Sequence, residues 1–325
     1  MLLKARRHEL VLITGVHGFL GQHTVRLFLD ESNYELVLTG REQTTLFADI
    51  KEEPRVHAYY PMDITDRASV REVVQSVKPD VIVNCAAYVK VDNAERDRET
   101  TWKTNVSAVE HLAESARKVD ARIVQISSDY VFDGTRAPYS ESDAAHPLNY
   151  YGRTKLASEN VLRTSGIEHT IIRTCLLYGA AEHANVNFAL AVVEALQAEK
   201  TIELPTDLYS SPTLVDDVAL AIVRATERHK TGLYHIGGPE MLSRFQFAGR
   251  IAKAFRLNAS LITPVLSEDM PKPEVRAERP MRSGFVCLKA QTDLSLRISN
   301  VDEGLQVMSR GMHDLENPVE QYIYE

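Results

Sequence analysis

The apolar run Leu10-Val11-Leu12-Ile13-Thr14 passes directly into Gly15-Val16-His17-Gly18-Phe19-Leu20-Gly21, and no other segment restricts the possible folds as much. A continuous apolar run of this length suits a strand buried on both faces of a parallel sheet. The three glycines then have separate tasks. Gly15 permits a tight turn, Gly18 lets the backbone approach a pyrophosphate, and Gly21 lets the next helix pack on the strand. The helix N-terminus adds amide donors and the positive end of a dipole. A glycine triplet alone is a weak signal, because structural glycines near strand ends imitate it. Here it follows a strand and opens a helix, which makes Gly15, His17, Gly18, Phe19, Leu20 and Gly21 the expected contacts of a bound dinucleotide.

The same alternation continues down the chain. Strands are expected from Leu10 to Thr14, Glu35 to Thr39, Val56 to Tyr60, Val81 to Asn84, Arg122 to Ile126 and Thr170 to Arg173. Between them, helical periodicity runs from the glycine turn to about Asp30, and over Asp66 to Val77, Glu99 to Val119 and Tyr150 to Thr164. Helices of this length between strands imply crossover connections and a parallel sheet covered on both faces. The fold class is therefore α/β, a doubly wound (Rossmann) parallel sheet with a smaller C-terminal substrate-binding lobe. Residues 1–175 are assigned to the dinucleotide-binding domain and 176–325 mainly to the lobe, with elements around 205–240 returning to the sheet. In that half, Asn187 to Gln197, Val215 to Thr226 and Arg244 to Phe255 look helical and Gly232 to Ile236 reads as a strand. Pro264 to Pro280, rich in proline and charge, reads as a wrapping loop.

Ligands of doubly wound sheets lie beyond the carboxyl ends of the strands, so the residues just after each strand are the informative ones. Thr39-Gly40-Arg41 follows the second strand with no acid at 39 or 40. An arginine there suits a 2′-phosphate, which favours NADP(H) over NAD(H). Glu42 follows directly and takes the ribose role if the loop is shifted; a solvated surface arginine is the plainer alternative for Arg41. Asp63-Ile64 ends the third strand, where a carboxylate can accept from an adenine amino group, and Ala86-Ala87 lets the backbone pass beside the dinucleotide after the fourth.

Tyr151 and Lys155 stand four apart on an expected helix, hence on one face. An ammonium beside a phenol favours phenolate and is expected to lower the tyrosine pKa from about 10. Such a phenol can exchange a proton with a carbonyl oxygen during hydride transfer. Tyr150 has Thr154 four residues on and lacks such a partner. Ser127-Ser128-Asp129 ends the fifth strand, where a hydroxyl can hold or polarise a substrate carbonyl; capping the next turn is the structural alternative. Tyr-x-x-x-Lys recurs by chance, and its weight here comes from following the glycine turn and these serines in order.

From about Leu10 to about Lys289 the chain resembles the dTDP-4-dehydrorhamnose reductases, a family of the extended short-chain dehydrogenases. The resemblance is carried by Val81 to Tyr88, Val91-Asp92-Asn93-Ala94-Glu95, Ser127 to Gly134, Pro147-Leu148-Asn149, Tyr151 to Lys155, Arg173-Thr174, Asn187-Phe188, Ser211-Pro212-Thr213 and Arg279-Pro280. It implies reduction of a 4-keto group on a nucleotide-linked deoxysugar by NAD(P)H. It also implies that Ser128 holds the position of the family's catalytic threonine, that Tyr151 is the proton donor and that Lys155 orients the nicotinamide ribose. Ser127 and Asn105 are then expected near the cofactor. Tyr88, Val131, Phe132, Asn187 and the guanidinium of Arg279 are expected at the substrate, the last on its pyrophosphate. The chain departs from the family at Cys175-Leu176-Leu177, where an aromatic is common. Gln22-His23 replaces the glutamate that holds magnesium in some relatives, so no metal site is expected.

A net charge of −8 and the absence of a basic stripe exclude a nucleic-acid partner. Lys4, Arg6 and Arg7 read as a solvated tail without the apolar segment of a secretory signal, and no apolar run is long enough for a membrane span, so a cytoplasmic protein is expected. Cys85, Cys175 and Cys287 have neither disulfide nor metal spacing and read as small buried residues. The expected partner is a nucleotide-sugar, and a homodimer stays open. Two other functions stay open as well. One is a nucleotide-sugar epimerase or dehydratase, against which Tyr130 stands where a second acid would follow Asp129. The other is a regulatory subunit that binds dinucleotide without turnover.

Overall fold

The computed structural model describes residues 9–44, 53–181, 187–270 and 275–316. The Lys4, Arg6 and Arg7 cluster and part of the Pro264 to Pro280 stretch, 271–274, lie outside these residues. The first half alternates as its sequence dictates: β1 (Leu10–Thr14), α1 (Phe19–Glu31), β2 (Glu35–Gly40), β3 (Val56–Pro61), α2 (Arg67–Val77) and β4 (Val81–Asn84). Then come α3 (Val91–Arg96), α4 (Arg98–Trp102), α5 (Ala108–Val119), β5 (Arg122–Ser128), α6 (Tyr150–Ser165) and β6 (His169–Thr174). The single long helix expected over Glu99 to Val119 is instead broken by a π-helical turn at Lys103–Ser107. That turn re-aims Asn105 inward, to 2% exposure, and such bulges recur at functional sites.

The second half adds β7 (Leu177–Tyr178), α7 (Phe188–Gln197), β8 (Ile202–Pro205), β9 (Tyr209–Ser210), β10 (Thr213–Leu214), α8 (Val215–Glu227) and β11 (Gly232–Ile236). It ends with β12 (Leu242–Ser243), α9 (Arg244–Ala254), β13 (Ile262–Val265), β14 (Arg282–Ser283), α10 (Leu288–Asp293) and α11 (Val301–Glu316). The segment expected to be loop from Pro264 thus begins inside β13, which pairs in parallel with β8.

Seven parallel strands form the central sheet in the order β11-β6-β5-β4-β1-β2-β3. Alternation along each strand divides its side chains between two cores. Val11, Ile13, Leu36, Leu38, Val81 and Val83 face α1 and α8, meeting Val25, Phe28, Val218 and Ile222. Leu10, Leu12, Val37, Ile82 and Ile123 face the other way, onto Val70 and Val74 of α2 and Val109 and Leu112 of α5. Each such side chain contributes roughly 1.5–3 kcal/mol when fully buried. A third core joins α7, α9 and α11 through Val193, Phe247, Ile251 and Leu305. From β1 the chain builds outward to β3 and then crosses back to β4, so the sheet's switch point lies between β1 and β4.

Candidate active site

At that switch point Gly15 has φ +68°, a left-handed conformation natural to glycine. A Cβ on it would lie 2.7 Å from the Ala86 backbone, so this glycine lets the turn after β1 press on the segment after β4. A Cβ on Gly21 would lie 2.1 Å from the Gly15 carbonyl oxygen, which seats α1 directly on the turn. Gly18 is the N-cap of α1 and provides no side-chain cap, leaving its first amides open to an anion. Below the turn, Thr14 Oγ1 donates to Asn84 Oδ1 (2.6 Å) and Asn84 Nδ2 to Gln125 Oε1 (2.8 Å), tying β1, β4 and β5 together beneath the cleft.

After β3, Asp63 takes the Thr65 amide and hydroxyl on Oδ1, at 2.8 Å each, while Ile64 is buried. Arg41 is exposed. The neighbouring Glu42 carboxylate folds back to 2.6 Å from His17 Nδ1, and this bond, with burial opposing it, holds the carboxyl below its usual range.

The other end of the cleft holds the expected catalytic set. Asn149 caps α6 by accepting from the Gly152 amide (2.8 Å) and donates to the Glu278 carbonyl (2.7 Å). A Cβ on Gly152 would lie 2.1 Å from the Tyr130 carbonyl oxygen, so α6 packs tightly on the turn after β5. This places Tyr151, 8% exposed, beside Ser128 and edge-to-face with Tyr130 at 5.6 Å. Ser128 Oγ donates to Asp129 Oδ1 (3.0 Å) and accepts from the Tyr130 amide (3.2 Å).

Lys155 lies one turn below, and here the expected electrostatics do not hold. Its Nζ donates to the Ile126 carbonyl (2.6 Å), and burial lowers its pKa to about 8. Burial raises the Tyr151 phenol well above its ordinary value, and the nearby Asp129 and Tyr130 add to the rise while Ser128 opposes it. Loss of water around the phenolate thus outweighs any help from the lysine.

The other expected site residues have the following partners in the structure. Ser127 turns away from the cleft and donates to Glu159 Oε1 (2.6 Å), a fully buried carboxylate clamped by Arg173 at 2.7 and 2.8 Å. Val131 and Phe132 are buried in a fourth core, Phe132 stacked on Tyr139 at 4.0 Å. Asn187 is occupied as the N-cap of α7 and as a donor to the Gly179 carbonyl. Asn105 holds Tyr88 by its amide and carbonyl and reaches Thr154, the residue before Lys155. Arg279 forms a two-pronged ion pair with Asp92 at 2.7 and 2.8 Å.

That ion pair lines a cavity of about 270 Å³ with Arg244, Arg276, Phe188 and Leu208. Arg244 opens α9, lies 5.1 Å over the Phe188 ring and donates to Ser210 Oγ (3.0 Å); burial pulls its pKa down. Its charge reaches Asp129, whose carboxyl burial pushes up despite bonds from Ser283 and Ser128. Sequence reasoning passed over Arg244, Arg276 and Asp129's burial. Ser243, capping α9 one position earlier, was the only local signal beside Arg244. Thr174, paired with Ser128 across β5 and β6, is buried with no hydrogen-bond partner for Oγ1 among the described residues. A water, an ion or a bound ligand can satisfy such a hydroxyl. The open helix N-terminus, the glycine cradle and this orphan hydroxyl together fit a nicotinamide dinucleotide. Among the described residues no cluster of three metal-ligating side chains occurs, and no helix is long and apolar enough to cross a membrane.

The layout is that of the extended short-chain dehydrogenases, the NAD(P)-dependent oxidoreductase class to which the chain belongs. Residues 9–313 match the family described as the RmlD substrate binding domain, and the chain is a member of that family. It is 30% identical to the dTDP-4-dehydrorhamnose reductase of Aggregatibacter actinomycetemcomitans over 91% of this chain and 97% of that protein. It is 32% identical to the methionine adenosyltransferase 2 subunit beta of Xenopus laevis, over 86% of this chain and 81% of that protein. The crystal structure of dTDP-4-dehydrorhamnose reductase from Bacillus anthracis in complex with NADP superimposes with a TM-score of 0.81 at 28% identity, covering 94% of this chain and 99% of that one.

Proposed function

We propose that the chain reduces the 4-keto group of a nucleotide-linked deoxysugar, of the dTDP-4-dehydrorhamnose kind, with Tyr151 as proton donor. The observation that carries this is the buried side chain of Tyr151, packed edge-to-face on Tyr130 just past Ser128 at the end of β5 and one helical turn before Lys155. A reductase needs a phenol that holds its proton until negative charge develops on the substrate oxygen. Bound NAD(P)H supplies the hydride to the carbonyl carbon. Ser128 holds the carbonyl oxygen, the Tyr151 Oη–H bond breaks as a new O–H bond forms, and the product is the alcohol. Lys155 supports the nicotinamide ribose from below. Arg244, Arg276 and Arg279 give the adjoining cavity the charge to take a diphosphate, with Arg279 exchanging Asp92 for it.

The likeness to a methionine adenosyltransferase subunit favours a second reading, in which the cleft binds dinucleotide to dock a partner enzyme and turns nothing over. Turnover of NAD(P)H by the unmodified chain with a 4-keto nucleotide-sugar separates the two, and Tyr151→Phe then tests the residue. On the reductase reading, turnover falls by about 10²–10⁴-fold while dinucleotide affinity, read by fluorescence titration, stays within roughly twofold. Unchanged turnover removes Tyr151 from the chemistry.

A further inference from the structure

Asn149 stands at the N-cap of α6, two residues before Tyr151, and is 2% exposed. Both ends of its amide are taken. Oδ1 accepts from the Gly152 amide at 2.8 Å and fixes the first turn of the helix. Nδ2 donates at 2.7 Å to the carbonyl of Glu278, 129 residues further along the chain. Glu278 lies between Arg276 and Arg279, the two arginines that this segment brings to the cavity of about 270 Å³. One side chain thus ties the helix that carries Tyr151 and Lys155 to the segment that carries much of the cavity's charge. A second strut runs through α3. Glu95 Oε1 accepts from the Tyr150 amide at 2.7 Å, while Asp92 accepts from the Ala277 amide at 2.9 Å and from both prongs of Arg279. The two struts differ in kind. A diphosphate that draws Arg279 off Asp92 weakens the second, whereas the bond from Asn149 to Glu278 joins two neutral groups and stays closed.

We propose that Asn149 is a positioning residue for the reduction. It holds residues 276–280 in one place against the start of α6, so that a nucleotide-sugar anchored by its diphosphate presents its carbonyl beside Tyr151. This rests on the reductase reading of the site. Asn149 has no need to touch the substrate, since it acts through Glu278 on Arg276 and Arg279 at one end and through Gly152 on Tyr151 at the other. Aspartate and serine cap helices as well as asparagine does, but only asparagine adds an amide donor of that reach.

The test uses that difference, by calorimetric titration of dTDP, NADH and NADPH to the full chain. Asn149→Asp keeps the cap but turns an acceptor towards the Glu278 carbonyl. Asn149→Ser keeps a neutral cap that is too short to reach it. In both variants the dissociation constant of dTDP is expected to rise about fivefold, the factor for one hydrogen bond left unmade, while those of the dinucleotides stay within roughly twofold. With a 4-keto nucleotide-sugar, KM is expected to rise by the same factor and kcat to change less. A dTDP constant unchanged in both variants overturns the proposal and leaves the reductase reading standing. Weakening in Asn149→Asp alone also overturns it, because the added charge is then the cause. So does equal weakening of dTDP and dinucleotide in both variants, which is what a merely structural cap for α6 produces. An unmodified chain that binds dTDP but consumes no NAD(P)H with the nucleotide-sugar overturns the reductase reading, and the positioning role with it.

Discussion

Lys155 is 3% exposed, with its Nζ on the Ile126 carbonyl, and burial brings its pKa from 10.5 to about 8. Its ammonium is present below about pH 8 and lost above it. With the ammonium supporting the cofactor ribose, kcat/KM for the dinucleotide is expected to fall through one ionisation as pH rises past about 8, and a pH profile of the free enzyme reads this. The stability contribution has the opposite sign. Because the folded pKa is depressed, the unfolded chain binds the extra proton between about 8 and 10.5, and stability rises with pH across that window. A profile with no break near pH 8 would remove the lysine charge from cofactor binding. At this scale Tyr151, Lys155 and Ser128 were legible from order and spacing. Their protonation was not, because it follows from burial that no spacing encodes.

Elements explain why some residues that match the family motif are already engaged by the fold. Asn187 begins α7 by accepting from the amides of Ala189 and Leu190 and holds the preceding loop through Gly179. Asn187→Ala is expected to cost about 1 kcal/mol of stability in urea unfolding, as the loss of an N-cap does, while leaving the substrate KM unchanged. A raised KM at unaltered stability would return Asn187 to the substrate. Strands of the first half were readable because each is a buried run in a parallel sheet, and β4 and β11 match their sequence boundaries at both ends. The break at Lys103–Ser107 was not readable, since a π turn lengthens the hydrogen-bonded step of an α-helix by a single residue and leaves the apolar pattern nearly unchanged. Nor were α10 and α11, which cover the sheet edge and the third core with short or mixed apolar faces.

Across the whole molecule, the site is assembled from residues that only the fold brings together. Asp92 opens α3 beside the sheet and Arg279 precedes β14, yet they meet over a cavity that Arg244 of α9 also lines. Sequence gave Arg279 through a motif, but Arg244 and Arg276 have no motif, and only packing of α9 and the segment before β14 reveals them. The glycine turn from Gly15 to Gly21 was legible because it is local; the arginine-lined cavity is not local, and was not. The most direct measurement supplies NADH and NADPH in turn, with a dTDP-linked 4-keto-6-deoxysugar, and follows nicotinamide absorbance alongside the sugar product by mass spectrometry. Reduced dinucleotide is expected to disappear one for one with formation of the 4-hydroxy sugar, and Tyr151→Phe to abolish both. Conversion of the sugar with no net oxidation, or dinucleotide bound and never consumed, would contradict the assignment.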